Sequence, residues 1–541
     1  MSRVGSAIQY RRLRSPKDHG GRLIDPPLSE IPERLAANRE AARHRQLELQ
    51  GRSFAALSEA ARSHVLRAAI DFTSRYRNVA NSLNGSKDPI VMTGHQPELY
   101  HAGVWYKNFV LDHVARERNA IGINLLIDND TLRQAAIRVP TGTVDAPIVE
   151  SVALDQSLEE MPFEERQLVD PAIFGSFAER VRAKLLPAIK EPLVEQLWPV
   201  AVATSRTNNN LGICLSQSRH QLEAAWGLKT LELPLSQVCD GEPFRWFATT
   251  ILARLPEFQH VYNESLFEYR RVNHVRSRSH PVPPLAIDGE WREAPFWLWS
   301  SNDPKRRRLF ARPVQHGIEI SDLHNERHHL SLSSDGPFEV AVEQMQTLRD
   351  QGVKLRSRAL VTTMFARLLL SDLFIHGIGG AKYDQLTDAI IQRFFGFAAP
   401  GFLTVTATAK LPIEHREVSD NEVRAIRLKL RELRFNPQRY LASTSEAVSL
   451  VEAKERLIAM QPTADQRIQR CLQIAHLNDA MQPMVEQQRA KWFQDRDNLI
   501  EQQRTAKLLG SREYSLCLFP EATLRPLLLD ILGNNYKLDG Q

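Results

Sequence analysis

Cysteine is scarce in this chain: Cys214, Cys239, Cys471 and Cys517 are four among 541 residues, widely spaced and without a C-x-x-C pair. Such spacing excludes a disulfide framework and a cysteine zinc site, and it makes a reducing cytoplasm the expected home. Long apolar runs are missing as well. None reaches 18 residues, the longest being broken by Arg367 or by Asp128 and Asp130, so no membrane partner is expected. The stretch from Met1 to Lys17 is basic and polar and lacks the apolar core of a secretory signal. Charge of one sign is in short supply too. Lysine plus arginine number 69 against 64 aspartates and glutamates, and the resulting +5 is too small over this length to argue for nucleic acid, despite a pI near 9.0. There is no G-x-S-x-G elbow, and no cysteine has a markedly basic neighbourhood, so covalent catalysis has no support.

What is present is an ordinary globular composition, 43% apolar and 25% charged. At roughly 150 residues per domain the length suits three or four modules, or one core with large insertions. Residues 28 to 80 read as helical, within an N-terminal helical segment spanning 1–86 that ends at the break Asn84-Gly85-Ser86. Pro89 to Met92 then reads as a strand, Val104 to Glu117 as a helix packed on it, and Ile121 to Ile127 as a strand buried on both faces. Strand, loop, helix and strand make a βαβ crossover. Further strands are expected at Val200 to Thr204, Thr230 to Leu233, Leu373 to His376 and Phe402 to Thr408. The fold class that follows is α/β, with a parallel-sheet core in two parts, 87–280 and 346–413. Residues 281–345 read as an inserted β-rich subdomain, and Lys305 to Arg308 within it as a solvated turn. From 414 to 509 apolar residues recur at steps of three and four, as in Val423, Ile426, Leu430 and Leu433 and again from Cys471 to Trp492. That pattern predicts an antiparallel hairpin of long helices, a coiled coil kinked at Pro483. A tail, 510–541, closes the chain.

Three turns at expected strand ends carry the chemistry. In Thr93 to Lys107 there is a glycine for close backbone approach, two histidines, a lysine, and helix N-terminal amides near Gly103 that suit an anion. The blander reading is a capped turn with surface histidines. Asp128-Asn129-Asp130-Thr131 offers two carboxylates for proton transfer, for orienting an amine or for holding a magnesium nucleotide, against an Asx turn as the plain alternative. Ile375 to Gln385 reads as a glycine-rich turn before a helix, Leu386 to Phe395, in which Lys382 can reach a phosphate, although the G-K-S/T ending of a Walker loop is absent. In a parallel sheet ligands lie beyond the carboxyl ends of strands, so the three should converge, bringing Asp130 and Lys382 to one cleft. His324, His328 and His329 read as surface histidines in a polar loop, and no ligand set argues for metal.

Taken in order, these segments resemble the bacillithiol biosynthesis cysteine-adding enzymes, the BshC family. That family opens its core with T-G-Q-Q-x-G-L-x-T-G-P-x-Y-x-x-x-K, where this chain has Thr93-Gly94-His95-Gln96 through Gly103 and Lys107. Its acidic E-D-H-D segment falls at Ile127-Asp128-Asn129-Asp130, with Asn129 in place of the histidine. Its G-G-P-G-E-x-x-Y element falls at Gly379-Gly380-Ala381-Lys382-Tyr383 with the acidic residue absent, and an upstream arginine falls at Thr362. A dimerising coiled coil and a tail returning to the core, like Leu518 to Leu529, complete a likeness running from about Pro89 to the end. The resemblance implies a Rossmann-like core and a cytoplasmic homodimer that joins a cysteine-like amino acid to a small polar or sugar-linked acceptor. An adenine nucleotide is the candidate cofactor, and no metal is expected. His95, Asp128 and Asp130 are then the candidates for proton transfer. Thr93, Gly94, Gln96, His101, Gly103, Lys107, Gly379, Gly380, Lys382 and Tyr383 are the candidates for holding substrate or nucleotide. The departures at Asn129, Thr362 and Lys382 point to a diverged member with another substrate. Two other readings stay open: a nucleotidyltransferase, since His101-Ala102-Gly103-Val104 partly matches an H-x-G-H turn, and a non-catalytic dimeric scaffold.

Overall fold

The computed structural model describes residues 8–79, 88–156, 159–277, 279–332, 338–441 and 445–531. The composition break at Asn84-Gly85-Ser86 lies outside them. The chain divides into two compact units, one comprising 1–139, 151–411 and 512–541 and the other 140–150 and 412–511.

The first unit is mixed α/β around a six-stranded sheet. In chain order its strands are β1 (Arg22–Asp25), β2 (Ile90–His95), β3 (Ile121–Leu126), β4 (Leu231–Pro234), β5 (Leu373–His376) and β6 (Leu403–Ala407). Their spatial order is β1-β6-β5-β2-β3-β4, with every pairing parallel except that of the edge strand β1. All six residues of β3 are buried, as a strand covered on both faces requires. Helix α1 (Ala102–Glu117) makes the crossover from β2 to β3, burying Trp105, Tyr106, Phe109 and Val110.

Several expectations need correction. Val200 to Thr204 is helix, within Val194–Ser205, whose buried Val194, Leu197, Trp198, Ala201 and Thr204 follow helical steps. The span 28–80 is not continuous helix. Helices Ile31–Arg43 and Phe54–Ser74 are separated by a small hairpin, Glu48–Leu49 against Arg52–Ser53, turned by Gln50 and Gly51 at positive φ. Nor is the glycine-rich segment a turn: helix α2 runs Ile378–Phe395, so Gly379, Gly380, Lys382 and Tyr383 occupy its opening turns.

A second, antiparallel sheet is built from Ile287–Asp288, Trp291–Ser300, Asp303–Val314, Gly317–Ser321 and Arg327–Leu330, and Val353–Ser357 pairs with Trp291–Ser300 from beyond the expected insert. Lys305 to Arg308 is therefore strand, not a solvated turn, and His328 and His329 lie in a strand rather than a loop.

The second unit contains helices α3 (Asp420–Phe435), α4 (Ser445–Ala459), α5 (Gln466–Met481) and α6 (Glu486–Leu509). Four helices thus replace the expected two-helix hairpin. Pro483 ends α5 in a 3-10 turn, Gln482–Val485, because it lacks the N–H a continuing helix needs. Helices α3 and α6 run antiparallel, with Gln503 Nε2 donating to Asp420 Oδ1 (2.8 Å) at one end and Gln482 Nε2 to the Leu433 carbonyl (3.4 Å) just before the other. Asn478 is buried, and its Oδ1 accepts from Lys454 Nζ at 2.6 Å. Among the described residues no helix is long and apolar enough to cross a membrane.

Candidate active site

The parallel strands end on one edge, at His95, Leu126, Pro234, His376 and Ala407. From β2 the chain moves to β3 and β4 on one side, whereas β5 and β6 lie on the other. Loops leaving the neighbours β2 and β5 therefore diverge, and the topology opens a crevice between them. A cavity of about 1020 Å³ occupies this place in the first unit.

Eleven of the thirteen residues singled out from the sequence line this cavity: Gly94, His95, Gln96, His101, Gly103, Lys107, Asp130, Gly379, Gly380, Lys382 and Tyr383. Asp130 and Lys382 do share one cleft. Thr93 and Asp128 are not among its lining residues. Thr93 is fully buried and its Oγ1 donates to the Ile375 carbonyl at 2.8 Å, fastening β2 to β5. The Asp128 carboxylate accepts from the Ser236 N–H (2.9 Å) and Oγ (2.5 Å), which ties the turn after β3 to the short helix Leu235–Cys239 that follows β4. Burial raises its carboxyl pKa while the Ser236 bonds oppose the rise. Its work is to hold two strand ends together.

Lys107 sits where the two diverging loops meet. Only 4% exposed, it donates from Nζ to the Gly94 carbonyl at 2.6 Å. Burial, reinforced by the nearby Arg219 guanidinium, brings its pKa down to about 7. His95 packs edge-on against Tyr100, and its Nδ1 lies 3.3 Å from the Gln96 carbonyl. Burial first, then Lys107, lowers its pKa well below the ordinary value, so the ring is neutral. A proton on Nδ1 would satisfy that carbonyl and leave Nε2 as an acceptor.

The amides near Gly103 do not form the expected anion site. His101 caps the helix itself: its Nδ1 accepts from the Gly103 N–H (3.1 Å) and its carbonyl from that of Val104 (3.0 Å). Gly103 is needed for another reason, since a Cβ there would lie 2.3 Å from both the Ala407 carbonyl and Arg512 Nη2. An open helix end exists instead at α2, whose N-cap Gly377 provides no side-chain cap. Ile378, Gly379 and Gly380 of its first turn all line the cavity. That helix terminus, with Lys382, suits an anion.

Asp130 is paired rather than poised as a base, accepting from Gln96 Nε2 (2.7 Å) and Arg306 Nη1 (2.9 Å). Arg306 also stacks over the Trp297 ring, 4.3 Å from its centroid, with Arg358 at 4.8 Å. Sequence reading missed Arg306 because it took the basic run for a turn. As a strand, the run places every second side chain on one face.

The larger omission is a histidine–aspartate pair. His376, at the end of β5, lines the cavity with Nε2 2.6 Å from Asp384 Oδ2. The contact with His376 is one of ion-pair distance, its Nε2 making no well-aligned hydrogen bond, whereas Asp384 accepts from Thr363 Oγ1 (2.8 Å) and Arg367 Nη1 (2.7 Å). Burial would raise its carboxyl pKa, but His376 and Arg367 outweigh that and hold it well below the usual carboxylate range. Asp384 directly follows Tyr383, one residue beyond the glycine-rich element. Thr362, in place of the arginine the resemblance implies, shares a 2.7 Å hydrogen bond with Ser357. Among the described residues no three His, Cys, Asp or Glu side chains stand together as metal ligands. A scan against protein-family models gives no match, and a search of curated proteins gives none.

Proposed function

We propose that this protein is an enzyme of the cysteine-adding ligase type, joining an amino acid to a small, polar, anionic acceptor in the cavity beyond the β2 and β5 ends. The convergence of three separate strand ends on one cation-rich cavity carries this reading. Arg14, Lys17, Arg306, Lys382 and Arg512 line it against Asp130 and Glu513, an excess that favours a phosphate- or carboxylate-bearing acceptor. The sheet order supports a Rossmann-like core. In this scheme the open end of α2 and Lys382 hold the anionic group, and a nucleotide phosphate, as of an adenine nucleotide, fits the same place. His376 takes the proton from the amino acid's amine as that amine attacks the acceptor's carboxyl carbon, the C–N bond forming while the C–O bond to a phosphoryl or adenylyl group, which a nucleoside triphosphate would supply, breaks and that group leaves; Asp384 fixes the ring and stabilises the imidazolium that forms. The cysteine-type reaction itself rests on the sequence resemblance.

Nucleotidyl transfer has weaker support, because His101 is engaged as a helix cap and the partial H-x-G-H likeness depends on that side chain. We place the protein in the cytoplasm as a homodimer through the second unit.

Turnover tests the reading. With L-cysteine, a sugar-linked carboxylic acid and ATP as substrates, His376→Gln should lower kcat by about 10²-fold or more, as loss of a general base does. Asp384→Asn should lower it as well. Activity of His376→Gln equal to that of the unaltered protein would sink this assignment. Mass spectrometry of small molecules retained on the purified protein should find an anionic conjugate or nucleotide. No turnover on any acceptor, with nothing retained, favours the scaffold.

A further inference from the structure

A second cavity, of about 470 Å³, adjoins the first in the same unit, and Gln96 and Asp130 line both. The hydrogen bond from Gln96 Nε2 to Asp130 Oδ2 therefore forms a partition between them. On the far side the lining changes character. Leu99, Leu132, Leu154 and Leu215 supply an apolar wall, and Glu98 and Arg133 supply one charge of each sign. Glu98 is half-buried, and among the described residues its carboxylate accepts no hydrogen bond and Arg133 has no ion-pair partner.

We infer that this second cavity is an amino-acid site, taking a zwitterionic α-amino acid whose ammonium lies against Glu98 and Asp130, whose carboxylate meets Arg133, and whose apolar side chain rests on the leucines. The chemistry is complementary at each point. Burial and the adjacent Asp130 raise the Glu98 carboxyl pKa, so a cation placed between the two relieves their repulsion. An arginine fork suits a carboxylate. Cysteine is a small member of the class. This inference deepens the proposed function and rests on reading the first cavity as the acceptor site.

Calorimetry on the full chain tests it with L-leucine as the probe, alongside 4-methylpentanoate, which lacks the amine, and 3-methylbutylamine, which lacks the carboxylate. L-leucine should saturate a single site, and each analogue should bind at least tenfold more weakly. Glu98→Gln, nearly isosteric, should weaken L-leucine about tenfold and leave 4-methylpentanoate unchanged. Arg133→Met, at an exposed position, should weaken L-leucine and leave 3-methylbutylamine unchanged. Melting temperatures of both variants report on folding, and either variant alone suffices. Absence of saturable L-leucine binding, or affinities within twofold of the unaltered protein in both variants, would overturn the inference. Inorganic phosphate, titrated in parallel, separates the two claims: phosphate binding without L-leucine binding overturns only the amino-acid site, and loss of both overturns the acceptor reading as well.

Discussion

Lys107 shows most directly how burial sets chemistry at single residues. An ammonium buried beside Arg219 is costly, and the group responds by losing its proton near pH 7 rather than near 10.5. The folded pKa lies below the unfolded one, so between about pH 7 and 10.5 the unfolded chain binds more protons, and stability rises with pH across that window. Lys107→Met should remove this rise. In urea unfolding, the stability gained by the unaltered protein between pH 7 and pH 10 should exceed that gained by the variant by a few kcal/mol, on the order that such a shift implies. Equal slopes would mean that Lys107 is solvated and charged. Gly103 makes the complementary case, of a residue whose missing side chain is the point. Gly103→Ala places a Cβ 2.3 Å from the Ala407 carbonyl, so the backbone has to move, at a cost of about 2 kcal/mol or more. Such a variant should show a lower midpoint in denaturant, and it reports on packing between α1 and β6.

Among the elements, α3 illustrates a helix whose boundary is written locally. Ser419 Oγ accepts from the Glu422 N–H (3.2 Å), and the Glu422 carboxylate accepts from the Ser419 N–H (2.7 Å), a reciprocal cap on an amphipathic helix. Ser419→Ala should cost the second unit about 1 kcal/mol, readable as an earlier unfolding step in urea with the cavity's phosphate affinity unchanged. The helical character of this stretch was legible in its apolar spacing although the cap was not, and β3, β5 and β6 were legible because each combines a short apolar run with a sharp ending; β2 was legible too, but it runs on through Thr93, Gly94 and His95, which the sequence assigns to the following turn. Val200 to Thr204 was misread since five residues rich in alanine and valine fit either period, and only Val194, Leu197 and Trp198 upstream decide for helix. The opening of α2 was misread because glycine discourages helix without forbidding it. There, the glycine gives room that a side chain would take: a Cβ at Gly380 would lie 2.8 Å from His376 Nδ1. His376 and Asp384 stand eight residues apart across a strand-to-helix junction, and no spacing rule reports such a meeting. Three-dimensional closure, not local propensity, creates that pair and the Asp130–Arg306 contact, whose partners are 176 residues apart.

At the scale of the whole molecule, the second unit exposes apolar side chains. Ile468 is 74% exposed and Leu472 65%, four residues apart and hence on one face of α5, and Leu428, Ile458, Met460 and Phe493 are exposed in the same unit. So much apolar surface on long, charged helices is what an association face looks like before its partner arrives. The expected partner is a second copy of the chain, the arrangement that closed symmetry makes commonest. Light scattering at micromolar concentration should therefore return a dimer, and the double variant Ile468→Glu, Leu472→Glu should return a monomer, since burying two carboxylates in an apolar seam costs more than the contact gains. A monomer for the unaltered protein would remove the dimer altogether. All residues named for both cavities belong to the first unit, which gives the experiment a second reading. If each chain holds a complete site, the monomeric variant should bind inorganic phosphate with unchanged affinity, whereas a loss of affinity on monomerisation would mean that the partner copy completes the site.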